Sequence, residues 1–457
     1  MSMQPLSRRE FLRLSALASM GAALAACAPA AAPAQPAAGE GAPAPAGETI
    51  ELRFVKLAMS EPVSAYFNDT AIPGFMEANP NLKVQVDMSD WGTLGEKMLT
   101  SFAGNIPLDL VETGSDWVGP YARRKQFMPL DDYITKDYQD EITDFYHDMV
   151  EISRVEGKLM GLPYILDIRT MCYRKDHFEE VGLDPETPPD TWDDLVEYAT
   201  KLVKTDAQGN ITRAGYMIDA SAPAGALFEF WYLLVQNGSD VVVPWGSWDV
   251  NDVVFNGPEG VEALQFLYDL VNKYKVSPIS GMATQNPSLS PLAEGVTSMS
   301  TDNSGQIGNW KQYQPDKLEL LGIGIPLMKK RRLQYACPNV YIIGTNTKHP
   351  DEAWKLMKYM ISTEVMTGML APDSSAPPRK SVAANAEYMK DPLLAKFQEI
   401  PEKGWGATTP QAVDFPTLEI IGNYVQAVLR DEIGIQEALD KAAEGVKQKI
   451  QEALQAT

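Results

Sequence analysis

Apolar and polar positions change period several times along this chain, and each change marks an element. Glu51–Leu57 (ELRFVKL) and Leu82–Val86 alternate with a period of two, which predicts strands. Asp109–Gly114 is a short apolar run emptying into a glycine-rich loop, as a buried strand does. Between these, Val63–Ala78 is periodic but interrupted at Pro73, and Gly95–Gly104 reads as a short helix. Strands alternating with helices in this order predict an α/β layer architecture. In such sheets, sites form where loops leave the carboxyl ends of strands. Two of these loops carry candidate chemistry: Ser60 and Glu61 after the first strand, Asp116 and Trp117 after the third. Trp117 stands among Gly114, Gly119 and Pro120, a setting that suits a ligand platform, although a loop tryptophan can also pack on its own domain.

The stretch Gly157–Lys175 (GKLMGLPYILDIRTMCYRK) breaks the pattern. Pro163 forbids a simple helix, and the following apolar residues are too few and too β-branched for one. It reads as a turn, an extended crossing segment and a strand. Asp167 and Arg169 interrupt the apolar run, so their side chains need water, partners or a ligand.

Beyond it, Thr191 caps a helix with Trp192, Leu195, Val196, Ala199, Leu202 and Val203 on one face, which makes Trp192 a core residue. Ala214–Ile218 is strand-like, and Leu227–Leu234 is an aromatic-rich helix. Trp231 and Tyr232 are adjacent there, so at most one follows the core stripe and the other is free to face a cleft. A plain packing helix starts at Pro258. Leu318–Pro326 reads as a strand, 336–343 as an apolar return segment, and Asp351–Ile361 as an amphipathic helix that buries Trp354. The final segment, Thr409–Ala456, has a helical stripe through Ala438, Leu439, Ala442, Val446 and Ile450.

A resemblance rests on these residues. The order EGKLMGLPYILDIRTMCYRKDHFEEVGLD, then PPDTWDDLVEYATKL, and later VYIIGTNTKHPDEAWKLMKYM, resembles the extracellular solute-binding proteins of ABC transporters, in their family 1, carbohydrate-binding branch. The resemblance implies a two-lobe periplasmic-binding-protein-like fold (type II), with ligand held in a cleft between lobes joined by a multi-strand hinge. Residues 48–162 and 338–385 would form the N-terminal lobe, and 163–337 with 400–457 the C-terminal lobe. The chain would cross near 163, near 338 and within 380–405. It also implies that Gly295 and Met299 lie on a strand delivering Gly308-Asn309-Trp310 to the cleft, beside Asp302, Asn303 and Ser304. A helix-capping role for that polar cluster is equally open. Ser374–Arg379 resembles the family's Gly/Pro-rich cleft loop but lacks its usual glycine. The expected ligand-binding set is Ser60, Glu61, Asp116, Trp117, Asp167, Arg169, Asn303, Trp310, Tyr341 and Arg379, with loop residues Trp245, Trp248 and Trp405 also open.

At the amino terminus, SRREFLR precedes an apolar run, Leu14–Ala26, too short for a membrane span. The paired Arg8 and Arg9 resemble a twin-arginine export signal, with Arg13 where lysine is common. Leu24-Ala25-Ala26-Cys27 resembles a lipoprotein cleavage box, which makes residues 1–26 a signal peptide and Cys27 the lipidated first residue. Ala28–Gly47 holds 10 Ala, 5 Pro and 3 Gly, a composition with almost nothing to bury, and reads as a disordered tether. Of three cysteines, that leaves Cys172 and Cys337, both in apolar runs and expected to be inert buried thiols rather than a disulfide.

The formal net charge of -22 speaks against nucleic acid and anionic lipid as partners. Three histidines, no paired-histidine or Cys-x-x-Cys spacing and no Gly-x-Ser-x-Gly motif give an enzyme or a metal little to use. No metal or cofactor is expected. Aromatic faces with Asp, Asn and Arg side chains suit a sugar's C–H faces and hydroxyls. Arg123, Arg124, Arg169 and Arg379 keep glycerol 3-phosphate or a related phosphodiester as an alternative solute; a secreted glycoside-active enzyme is a remote one. The expected protein is a monomeric, membrane-anchored extracytoplasmic binder that passes a small solute to ABC permease subunits.

Overall fold

The computed structural model describes residues 49–410, 412–413 and 415–455. The leader, Cys27 and the Ala/Pro tether lie outside these residues. Among the described residues no helix is long and apolar enough to cross a membrane.

The elements that position the site are β1 (Ile50–Leu57), α1 (Glu61–Tyr66), α2 (Ile72–Ala78), β2 (Leu82–Ser89), α3 (Trp91–Ala103), β3 (Leu110–Gly114), α4 (Val118–Arg123) and β4 (Gly161–Arg174). They continue with α5 (Trp192–Leu202), α6 (Pro223–Gln236), β5 (Met299–Asn303), α7 (Gly305–Tyr313), β6 (Leu321–Ile323) and β7 (Gln334–Ile342). α8 (Pro350–Met360), α9 (Pro392–Glu402), β8 (Gly406–Ala407), α10 (Phe415–Leu429) and α11 (Ile435–Gln455) complete the chain. One eight-stranded sheet runs β6-β4-β7-β3-β1-β2, with β5 added to β4 and β8 to β7. β1 is parallel to β2 and β3, while β7 is antiparallel to β3 and β4.

Successive side chains of a strand point to opposite faces, and this sheet is buried on both because apolar residues occupy both sets of positions. Leu52, Phe54, Leu110 and Tyr341 join one cluster, under α1 and α8. Val55, Leu57, Val111, Val340 and Ile342 point the other way, into a cluster with Trp117, Tyr121 and Phe127. A separate large core gathers α5, α6, α10 and α11, including Trp192, Trp231 and Val446. The result is a two-lobe α/β fold.

The long strand β4 serves both lobes because it changes partners midway. Gly161–Ile168 pairs with β7, whereas Arg169–Tyr173 pairs with β5 and Cys172–Arg174 with β6. Two prolines sit in the shared pairing, Pro163 opposite Val340 and Pro338 opposite Leu166, and the register shifts between Asn339 and Val340. Proline donates no ladder hydrogen bond, so an irregular register is where it is tolerated. Cys172 and Cys337 are buried free thiols, as their apolar surroundings imply.

Several expected elements change extent. α3 begins at Trp91, not Gly95, because Asp90 and Thr93 form a reciprocal capping box with Thr93 N donating to Asp90 Oδ1 at 2.9 Å. Ala214–Ile218 forms no extended strand; Ala214 keeps a single bridge to Thr297. The strand expected over 318–326 shrinks to Leu321–Ile323, since Pro315–Leu320 turns as a 3-10 helix.

Candidate functional site

The change of partner along β4 leaves Asp167 and Arg169 at the junction of the two lobes, pointing into a cleft of roughly 560 Å³. One wall carries Trp91, Asp116, Trp117 and Asp373; the other carries Phe228 on α6, Asn303 at the end of β5 and Glu419 on α10. Tyr335 and Asn339 on β7 line the floor beside Asp167 and Arg169.

Arg169 is the centre of this arrangement. Its guanidinium lies 4.8 Å from the ring centroid of Phe228 and 4.9 Å from that of Tyr335, both within cation–π range. Its Nη2 donates to Asp167 Oδ2 at 2.9 Å and its Nη1 to Tyr232 Oη at 2.8 Å. Burial works against its charge, yet the Asp167 carboxylate beside it holds its pKa well above the usual range. Both partners keep some exposure, 27% for the Arg169 side chain and 18% for Asp167, so their remaining hydrogen-bonding capacity faces the cleft.

Asp116 sits in the 3-10 turn after β3 and accepts a hydrogen bond from Thr409 Oγ1 at 3.3 Å. Burial pushes its carboxyl up to about 6, with the Asp167 charge adding to the shift. Behind Arg169, Glu229 is pushed up to about 8 by burial, reinforced by the charges of Asp219 and Asp302. Asp302 itself is raised for the same first reason.

The expected site residues divide into three groups. Asp116, Trp117, Asp167, Arg169 and Asn303 are brought together on the cleft walls. Trp117, however, is only 2% exposed and packs beneath Trp91, whose ring centroid is 5.9 Å away. Asn303 also accepts from Gly305 N at 2.9 Å at the start of α7, so lining and capping roles coexist. Ser60 stands one contact back: it caps α1 and donates to Asp373 Oδ1 at 2.8 Å. Glu61 is exposed in the first turn of α1, where its charge suits the helix N-terminus, and does not line the cleft.

Three expected residues lie in the interior instead. Trp310 is fully buried on α7 in an apolar cluster with Leu166, Ile168 and Phe397, with the Arg174 guanidinium 5.3 Å from its ring. A helix facing that cluster turns its tryptophan inward. Tyr341 is fully buried and stacked on Tyr164 at 4.4 Å, because its position on β7 alternates into the core. Arg379 is consumed by Asp144 at 2.8 Å and the Ile361 carbonyl at 2.8 Å, which join it to neighbouring loops. Of the loop tryptophans, Trp245 donates to the Thr408 carbonyl, Trp248 lies under Arg123, and Trp405 packs against Arg332 and Lys403.

Sequence reasoning missed Trp91, Phe228, Tyr335, Asp373 and Glu419. Trp91 had a signal, the Asp90-x-x-Thr93 cap that starts α3 before Gly95. The adjacent pair on α6 does not divide between core and cleft: both are buried in the same cluster, where Trp231 donates to Asp240 at 2.9 Å and Tyr232, 5% exposed, accepts from Arg169 without lining the cleft. Among the described residues, no group of three or more His, Cys, Asp or Glu side chains is placed to hold a metal ion.

Comparison with known proteins adds to this geometry. Residues 70–396 match the family model described as bacterial extracellular solute-binding protein. A protein of Brucella abortus (strain 2308), named as a binding protein without a stated ligand, is 21% identical over 78% of this chain and 82% of its own length. The sn-glycerol-3-phosphate-binding periplasmic protein of Escherichia coli (strain K12) is 32% identical over 34% of each chain. Among solved structures, an ABC transporter solute-binding protein of Thermotoga lettingae bound to α-D-tagatose superposes with a TM-score of 0.74 at 21% identity, covering 88% of this chain and all of that one. Maltose-bound MalE3 of T. maritima gives the same TM-score, identity and coverage.

Proposed function

This chain belongs to the bacterial extracellular solute-binding proteins, and on that premise we propose that it captures a neutral carbohydrate and delivers it to an ABC permease. The observation that carries the sugar reading is the state of Arg169. It is the sole cation on the cleft wall among the described residues, and Asp167 already neutralises it. Asp116, Asp373 and Glu419 add further carboxyls around it. A phosphate entering this cleft would meet an excess of acids, whereas hydroxyls find acceptors in the carboxylates and donors in Arg169 and Asn303. Trp91, Phe228 and Tyr335 offer faces for C–H surfaces. The sugars bound by the tagatose and maltose proteins of the same fold favour the same reading.

Capture and delivery would use lobe closure. The lobes proposed are 48–162 with 338–385 and 163–337 with 400–457, and a ligand touching both walls binds the closed arrangement better and so shifts the population toward it. A twin-arginine-like signal, lipidation at Cys27 and the tether that follows would hold the domain at the outer face of the cytoplasmic membrane as a monomer, and the permease would read the closed shape. The stretch shared with the glycerol-3-phosphate binder favours that phosphate as second reading. Isothermal titration of the full chain with mono- and oligosaccharides, polyols and glycerol 3-phosphate separates the two. Heat from one sugar series is expected; heat from glycerol 3-phosphate alone would overturn the carbohydrate reading.

A further inference from the structure

The geometry points to a second ligand chamber beyond Trp91, which takes the outer residues of a linear saccharide and makes this an oligosaccharide site. The inference rests on the carbohydrate reading above. A cavity of roughly 640 Å³ adjoins the cleft, and Trp91, Gly92, Trp117 and Glu419 belong to the walls of both. The two spaces are therefore one trough with the Trp91–Trp117 pair at its midpoint.

Beyond those shared residues, the outer chamber is built from positions that do not line the inner cleft. α3 supplies Glu96, Leu99 and Thr100 on one side; α10 and α11 supply Thr417, Ile420 and Glu452 on the other. Trp91 is 42% exposed and Leu99 49% exposed, large apolar surfaces that a protein of this charge has little reason to leave in water. Both lie on the trough side of α3. Gly92 widens the passage between the chambers: a methyl group there would meet only Asp90 Oδ1, at 3.3 Å, so packing does not demand glycine at this helical position.

The chemistry continues that of the inner cleft. Apolar Trp91, Leu99 and Ile420 alternate with Thr100, Thr417, Glu96 and Arg124, and Lys449 is paired with Glu452 at 2.7 Å. Charges of both signs in near balance, interleaved with apolar faces, suit a neutral chain of hydroxylated rings better than an ion. A single monosaccharide in the inner cleft would leave this chamber to water.

The test is isothermal titration of the full chain with gluco-, manno- and xylo-oligosaccharides of one to four residues. Trisaccharide is expected to bind at least tenfold more tightly than the monosaccharide of its series. Thr100→Trp and Ile420→Arg, filling the chamber from opposite walls, are each expected to bring that ratio close to one. Equal affinity for mono- and trisaccharide in the unaltered chain, or an unchanged ratio in both variants, overturns the outer chamber while leaving carbohydrate capture intact. Silence in all three series overturns the carbohydrate reading and this one with it.

Discussion

Two ion pairs sit within the same sheet and have opposite uses. Lys56 and Glu112 lie in the core beneath the cleft, their side chains 3% and 4% exposed. Glu112 also takes the Tyr164 hydroxyl and Leu57 N, the latter at 3.3 Å, so its oxygens are fully committed within the protein. Arg169 and Asp167 repeat the charge pattern at the switch point of β4, again against aromatic rings, but keep 27% and 18% exposure. The first pair is closed and can only hold the lobe together. The second has capacity left over, and an unsaturated polar pair at a lobe junction is what a ligand completes. Residue type does not distinguish them; saturation does.

Breaking one pair should therefore cost folding and breaking the other should cost binding. Glu112→Ala strands a buried ammonium, and a loss of about 3–5 kcal/mol is expected in urea denaturation. Arg169→Ala would shift urea stability far less, since Asp167 can reach water, while saccharide affinity by titration falls about thirtyfold, or ~2 kcal/mol. Equal stability losses in the two variants would erase the contrast.

The pH dependence sharpens it further. Burial raises the Asp116 carboxyl to about 6 in the folded chain, against about 4 when unfolded. A group that holds its proton more tightly when folded lends stability at low pH and loses it as pH climbs, here through the window between about 4 and 6. Relative to Asp116→Asn, the unaltered chain is expected to lose up to ~3 kcal/mol across that window, read as the difference between the two urea profiles. A parallel pair of profiles would remove the buried-acid account of Asp116 on the cleft wall. The smallest effect is expected from Tyr232→Phe, which deletes one hydrogen bond to Arg169. Affinity should fall by about 1 kcal/mol with urea stability nearly unchanged.

Local patterns were legible where one property decides. The alternation in β1 and β2, the apolar run of β3, the proline that makes Gly161–Arg174 extended, and the Thr191 cap of α5 all appear where periodicity and capping chemistry place them. Asp167 and Arg169 stood out because charges in an apolar run demand partners. Trp310, Tyr341 and Arg379 could not be sorted the same way. Whether a tryptophan on a short helix faces a cleft or a cluster depends on which sheet face that helix covers, and Arg379 is settled by Asp144, 235 positions away in the chain.

By itself, then, the sequence determined the α/β order, the crossing strand and the polar interruption within it, since these depend on neighbours a few residues apart. Only the tertiary structure decided which aromatics reach the cleft, which ion pair is saturated and how far the trough extends past Trp91. Those outcomes depend on where separate elements meet, and burial there is a property of the assembled lobes.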